Sequence, residues 1–362
     1  MVDGFAIGLG GVLVGLALLD VFLTVLYSRA GVGLLTPRLY RATWRLLRFV
    51  GGLAGERREA VLSFSGPVMM LLTVAMWFLL LLVGFSLLVW PALGDAIVKS
   101  SGPTPTDWWS AVYYAGYSLT TLGTGDLVPR TAAYRLLMVV KSLVGFSIIT
   151  LAVTYFMAVY SSLVRRNTLA QMLHHLSGAT GDAVQLLIRV ERSGWLTGGK
   201  GGFMDVGLEV LGLLESHHSY PVLHYFRMRD PRYSMARMAV LVLQPLTLAR
   251  SVLAASEREN ELAADASMLW GGGIDLLRQA GQSPLDRQAL NGPDPADRSH
   301  FRLACRQLED AGAQLVGDQS EAEEKYRALR GQWIGAASAF AELMGHRWEQ
   351  VEPGHDRQPD SK

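Results

Sequence analysis

Three apolar runs, Phe5 to Tyr27, Pro67 to Trp90 and Ala132 to Val164, limit what this chain can fold into more than any other feature. Each exceeds the roughly 20 apolar residues that a helix needs to cross a bilayer. In lipid every backbone N–H and C=O has to find its partner within the chain, so such runs fold as helices. The second run is nearly uncharged, and the third is interrupted only by Arg135 and Lys141. The first carries Asp3 where a signal peptide has a basic residue, and it is long against an apolar signal core of about 7–15 residues. A retained span is therefore expected, with a signal peptide as the alternative.

Charge sets the expected topology. Between the first two runs stand Arg29, Arg38, Arg41, Arg45, Arg48, Arg57 and Arg58, against Glu56 and Glu59. Basic loops stay in the cytoplasm, which puts the N-terminus outside and everything beyond Arg165 and Arg166 in the cytosol. The steps of three and four between Arg38, Arg41, Arg45 and Arg48 predict a basic amphipathic helix on the inner membrane surface. An ordinary solvated helix is the alternative. The net charge of +1 gives no global pull toward nucleic acid, and the single Cys305 excludes an intrachain disulfide or a thiolate cluster.

The segment between runs two and three carries the chemistry. Pro103 and Pro105 break structure, and Thr106 or Asp107 can cap a helix start. Trp108 to Leu119 then fits about three turns, too short to cross a bilayer at ~1.5 Å per residue. A short helix followed by irregular Gly-rich backbone is tolerated at membrane depth only where it lines protein or a water-filled pore. The following residues are Thr120-Thr121-Leu122-Gly123-Thr124-Gly125-Asp126. A dehydrated cation needs rings of oxygen ligands, which backbone carbonyls supply if they point to one axis. That requires backbone geometry of alternating hand, which Gly123 and Gly125 adopt without a Cβ penalty. Thr121 can add a hydroxyl oxygen at the inner end, and Asp126 negative charge at the outer mouth. The C-terminal end of the short helix would turn its negative dipole toward the membrane centre.

With these residues in view, the stretch from roughly Pro67 to Val164 resembles the potassium channel family in its two-helix pore-loop form. The resemblance rests on Thr120 to Asp126, on Pro129, on the aromatic pair Tyr113-Tyr114 and on Gly145. It implies a homotetramer, because each chain supplies one filter strand. It implies potassium ions at Thr121, Leu122, Gly123 and Thr124, and a gating hinge at Gly145; close helix packing is the other reading of that glycine. Helical steps from Gly145 put Ile149, Val153, Met157 and Ser161 on the pore face, with Val153 and Met157 able to close it by dewetting. Phe156 is the neighbouring candidate. Thr124 stands where the family usually has a bracing aromatic, which suggests looser outer sites, and Tyr117 stands where some members carry an acid, so the Asp126 network is expected to differ or be absent. The first apolar run is extra to the two-helix pattern.

Two charges lie within apolar runs, where ionisable residues are functional suspects. Asp20 is expected to face another helix or the inner interface, helped by Thr24, and Lys141 to sit behind the filter or snorkel outward. From 168 to about 350 the periodicity predicts helices over 168–177, 181–193, 203–217, 235–256, 258–280, 299–315 and 320–346, with links at Gly198–Gly202 and Gly292–Pro295. Met238 to Ala255 is apolar, but Gln244, Pro245 and Arg250 favour a buried helix over a fourth span. His174-His175 and His217-His218 are expected at a surface or interface. No nucleotide fingerprint of glycines after a strand is present.

The expected fold class is an all-α membrane protein, with three transmembrane helices, a re-entrant pore helix and filter, and an all-α cytosolic domain. Its parts are an extra spanning helix (1–30), a basic cytoplasmic linker (31–66), a pore domain (67–166), a helical cytosolic domain (167–350) and a disordered tail (351–362). The expected function is a passive, potassium-selective channel in the cell membrane, with the lipid bilayer as its surroundings. No enzymatic activity, no cofactor beyond the permeant ion and no nucleic-acid partner are expected. A weakly selective cation channel and a non-conducting signalling scaffold are the alternatives. No regulatory ligand of the cytosolic domain is legible.

Overall fold

The computed structural model describes residues 2–27, 33–192, 203–253, 259–282 and 298–353. Both Gly-rich links and residues 354–362 of the expected tail lie outside the described residues. The chain divides into two compact units, residues 1–43 with 67–160, and residues 44–66 with 161–362. The expected linker over 31–66 is thus shared between them.

The first unit holds α1 (Val2–Val21, continued by a wider π turn over Phe22–Leu26), the start of α2 (Thr36–Leu53), α4 (Ser65–Val89), α5 (Trp108–Leu119) and most of α6 (Ala132–Leu176). A short α3 (Arg58–Ser63) precedes α4. Three helices are long and apolar enough to cross a membrane, over Asp3–Leu26, Ser65–Ala92 and Ala132–Leu176. The extra helix α1 meets α4 through glycine: a Cβ on Gly10 would stand 2.6 Å from the Gly84 carbonyl oxygen. Small residues let spanning helices approach this closely. Ala17 and Val21 of α1, Trp77, Leu81 and Phe85 of α4, Leu119 of α5 and Ile148 of α6 share one core.

Asp20 is fully buried and has a structural task. Its carboxylate accepts from Leu35 N (2.7 Å), Thr36 N (3.3 Å), the Thr36 hydroxyl (2.6 Å) and Trp77 Nε1 (2.8 Å). The first N–H groups of a helix have no partner within it and carry its positive dipole end, so Asp20 caps α2 while tying it to α4. Thr24 contributes one step removed, donating to Thr36 Oγ1 at 3.4 Å. Further along α2, Tyr40 and Tyr155 of α6 join their hydroxyls at 3.2 Å. Asp20→Ala strands these donors in a dry site, at about 1–3 kcal/mol for each unsatisfied group. A markedly lower apparent Tm is expected for the full chain in detergent; an unchanged Tm would contradict the capping role.

The second unit is helical throughout its named elements. It contains α7 (Ala183–Arg192), α8 (Phe203–Ser219), α9 (Met235–Val252), α10 (Glu259–Gln282), α11 (Arg298–Asp310), α12 (Gln319–Arg330), α13 (Ile334–Leu343) and α14 (Trp348–Val351). The apolar α9 is its central helix, packed by α7, α10, α12 and α13. Its polar residues have partners: Gln244 Nε2 donates to the Tyr326 hydroxyl at 2.8 Å, and Thr247 Oγ1 accepts from Trp333 Nε1 at 3.2 Å.

Several expectations require correction. The separate helix over 168–177 does not exist; α6 runs unbroken to Leu176, since no Gly or Pro interrupts it after Gly145. The single helix over 320–346 is two, with Gly331 between α12 and α13. Val351 and Glu352, assigned to a disordered tail, are buried, and Glu352 forms a two-pronged ion pair with Arg330 at 2.8 and 3.0 Å. His217 is no surface residue: it is 1 % exposed, with its ring 4.8 Å from that of His224. The first unit is also not purely helical, because β1 (Ile97–Lys99) and β2 (Leu127–Pro129) pair antiparallel.

Candidate functional site

The site grows from the ends of α5. Asp107 caps its start, accepting from the Ser110 hydroxyl at 2.7 Å and the Ser110 N–H at 3.0 Å. These two bonds hold the Asp107 carboxyl below the usual carboxylate range. At the other end, Leu122 N donates to Tyr117 O (2.9 Å) and Thr121 N to Ser118 O (3.3 Å). This pair of bonds closes a helix C-terminus whose next residue is left-handed, usually glycine. Here that residue is Thr121, at φ +58°. The left-handed region costs roughly 1–2 kcal/mol for a residue with a Cβ.

The chain then alternates. Thr121, Gly123 and Gly125 have φ of +58°, +63° and +73°, while Leu122 and Thr124 between them do not enter the left-handed region. Thr120, Thr121, Leu122, Gly123, Thr124 and Gly125 are all exposed in the single chain. The sequence assigns left-handed geometry to the two glycines; Thr121 is the addition, and the helix cap explains it.

Behind this loop lies a polar triangle. The Tyr113 hydroxyl donates to Thr124 Oγ1 (3.0 Å) and to Asp126 Oδ1 (3.2 Å), and the Thr124 hydroxyl donates to Asp126 Oδ1 (3.0 Å). A network around Asp126 therefore exists without an acid at position 117. Tyr117 instead donates to the Leu127 carbonyl, its ring edge-on to both Tyr113 and Tyr114. The loop's exit is anchored by the strand pair: Ser100 N donates to Asp126 O at 2.8 Å, and Ile97, Val98 and Lys99 face Pro129, Val128 and Leu127. Ile97 and Leu127 are buried in one cluster with Tyr114 and Tyr117.

On the other side, α6 supports α5. Ser142 Oγ donates to Ser118 O at 2.9 Å. Lys141 is fully buried, with Nζ 3.3 Å from Ser118 Oγ and 3.9 Å from the Tyr114 ring centroid. An ammonium over an aromatic face is held by the ring quadrupole, so Lys141 stands behind the loop and does not snorkel. Gly145 is where the two helices meet, for a Cβ there would stand 1.7 Å from the Leu119 carbonyl oxygen. The helix α6 is unbroken at this point, and Gly145 is closely packed.

The remaining candidates lie on α6. Ile149, Val153 and Met157 are 44, 54 and 70 % exposed in the single chain, and Ser161 is exposed as well. Ile148, Ala152, Tyr155 and Val159, on the opposite side, are buried, and Phe156 is half-buried. The exposed stripe is therefore continuous through Ile149, Val153 and Met157. Tyr113 as a hydroxyl donor, Ser118 and Ser142 were not singled out from sequence for these roles. The placement of Tyr113 eleven residues before Thr124 becomes a signal only once α5 reverses the chain.

Residues 72–162 match the family model described as "Ion channel". An uncharacterized membrane protein, YdjJ, of Bacillus subtilis (strain 168) is 25 % identical over 335 residues, covering 88 % of this chain and 93 % of that protein. No solved structure matches. The chain is thus a multi-pass membrane protein whose residues 72–162 are similar to the ion channel family.

Proposed function

We propose that this protein is a passive, potassium-selective channel and not an enzyme. Four chains surround one axis, each contributing Thr121 to Gly125 as a filter strand, with Asp126 at the outer mouth. The observation that carries the reading is the alternation of left-handed backbone at Thr121, Gly123 and Gly125 on an exposed loop directly after a 12-residue helix. Only alternating hand lets consecutive carbonyls replace the hydration shell of one ion. In this reading α5 is re-entrant, the N-terminus is outside and the second unit is cytosolic. Four copies of Ile149, Val153, Met157 and Ser161 line the cavity, and Val153 with Met157 forms an apolar constriction that closes by dewetting. The arginine side of α2 lies at the inner membrane surface.

Thr124 favours one rival, a weakly selective cation channel on the same scaffold. The Tyr113 hydroxyl argues for selectivity, because it supports Thr124 from behind as a larger side chain would. Each such bond is worth about 0.5–1.5 kcal/mol. Tyr113→Phe removes the one hydroxyl proton shared between Thr124 and Asp126 without changing shape. A several-fold fall in the potassium-to-sodium permeability ratio is expected, with assembly intact; an unchanged ratio would remove Tyr113 from the account.

The assembly is tested with purified protein in nanodiscs and in potassium-loaded proteoliposomes. The expected results are a particle of four times the 39.6 kDa chain mass and potassium efflux down its gradient. A particle of one or two chains would overturn the proposal.

A further inference from the structure

Within the second unit, far along the sequence from the loop at 120–126, lies a pocket lined by Arg166, His224, Arg227 and His346 together with Tyr233, Ser234 and the apolar walls of Phe226, Met235 and Phe340. Its closed volume is about 10 Å³, and it opens to solvent. The four basic side chains are buried, with 2, 4, 2 and 8 % exposure in that order.

We propose that this pocket binds a small inorganic anion. The argument is one of missing charge. Arg166 donates Nη1 to Leu223 O (3.2 Å) and Nη2 to Phe226 O (3.0 Å), and its buried Nε has no partner. Among the described residues no carboxylate pairs with it. Arg227 donates Nε to Met344 O (2.8 Å) and Nη2 to Gly345 O (3.4 Å). Its one carboxylate, Glu59, stands 3.6 Å away on a side chain that is 54 % exposed. Carbonyl oxygens satisfy donors but do not neutralise them, and a buried cation without a counter-charge is strongly unfavourable.

Two further nitrogens on residues of the same pocket, His224 Nδ1 and His346 Nδ1, are buried without partners. Burial first, and then Arg166, pushes the His224 pKa down to about 4; burial and Arg227 do the same to His346. Both rings are therefore neutral at pH 7 and can each offer one N–H. A guanidinium N–H and two imidazole N–H groups, with apolar walls around them, match the needs of an anion leaving water. The closed space leaves room for a single small ion and is too small for a nucleotide.

The test uses the full chain in detergent, in potassium gluconate, whose anion is too bulky to enter. Chloride and inorganic phosphate are titrated separately, at fixed total potassium and ionic strength, so that any ion in the pore is unaffected. A saturable rise in Tm with chloride identifies a halide site, and one with phosphate identifies an oxyanion site; either supports the proposal. His224→Leu removes one donor at similar volume and is expected to abolish most of the rise. Arg166→Met removes the uncompensated charge and is expected to raise Tm in gluconate while ending the response to anions. Absence of any anion-specific rise in the native protein, or an undiminished rise in His224→Leu, overturns the proposal.

Discussion

Gly123→Ala and Gly125→Ala are each expected to abolish ionic current while leaving an assembled protein. At φ +63° and +73° an added Cβ meets the following carbonyl, at roughly 1–2 kcal/mol per residue. Apart from the adjoining residues, the nearest atom of the same chain to an added Cβ is 4.0 Å away at Gly123 and 3.9 Å at Gly125. The penalty is therefore purely conformational, and the loop escapes it by rotating the peptide. In a fourfold assembly every chain makes the same escape, so whole rings of carbonyls turn from the axis together. The core beneath, built on Tyr114, Tyr117, Ile97 and Leu127, is untouched. Wild-type currents from either variant would sink the assignment of this loop as a filter.

The second large effect is expected within the second unit. Glu352→Ala removes the two-pronged carboxylate from Arg330, which is 1 % exposed in the core of the second unit. Removing one partner of a buried pair costs about 3–5 kcal/mol, whereas replacing both with apolar residues is often neutral or stabilising. Arg330 also donates to Gln244 Oε1 at 2.7 Å, and that contact does not remove the charge. A sharply lower apparent Tm and rapid proteolysis of the second unit are expected for Glu352→Ala. The double variant Arg330→Met, Glu352→Leu is expected near the native value. A single variant as stable as the native chain would contradict this reading of the pair.

These residues also show how far the sequence reaches. Helix α5 is legible to the residue, Trp108 to Leu119, because prolines precede it, an N-cap opens it and glycines follow it within a few positions. The three spans are legible because lipid leaves a long apolar run no other fold. What escapes is settled at a distance. Asp20 reads as a functional suspect until its donors at Leu35, Thr36 and Trp77 are seen, 15 to 57 positions away. Glu352 stands in a polar C-terminal stretch that composition assigns to a tail, and Arg330, with His300 3.6 Å away, holds it inward. Gly145 offers hinge or packing from sequence alone; the carbonyl of Leu119, 26 positions earlier, is what shows the packing. At the site, the glycines announce their own geometry, whereas Thr121 takes its φ from a helix cap and Thr124 takes its support from Tyr113, neither of which has a local signature.

The central claim is that the loop from Thr121 to Gly125 selects potassium. Its most direct test is the reversal potential of the purified, reconstituted protein in a planar bilayer with potassium on one side and sodium on the other. A large shift toward the potassium equilibrium potential is the predicted result. Clear current that reverses near zero would contradict it and establish the weakly selective channel in its place.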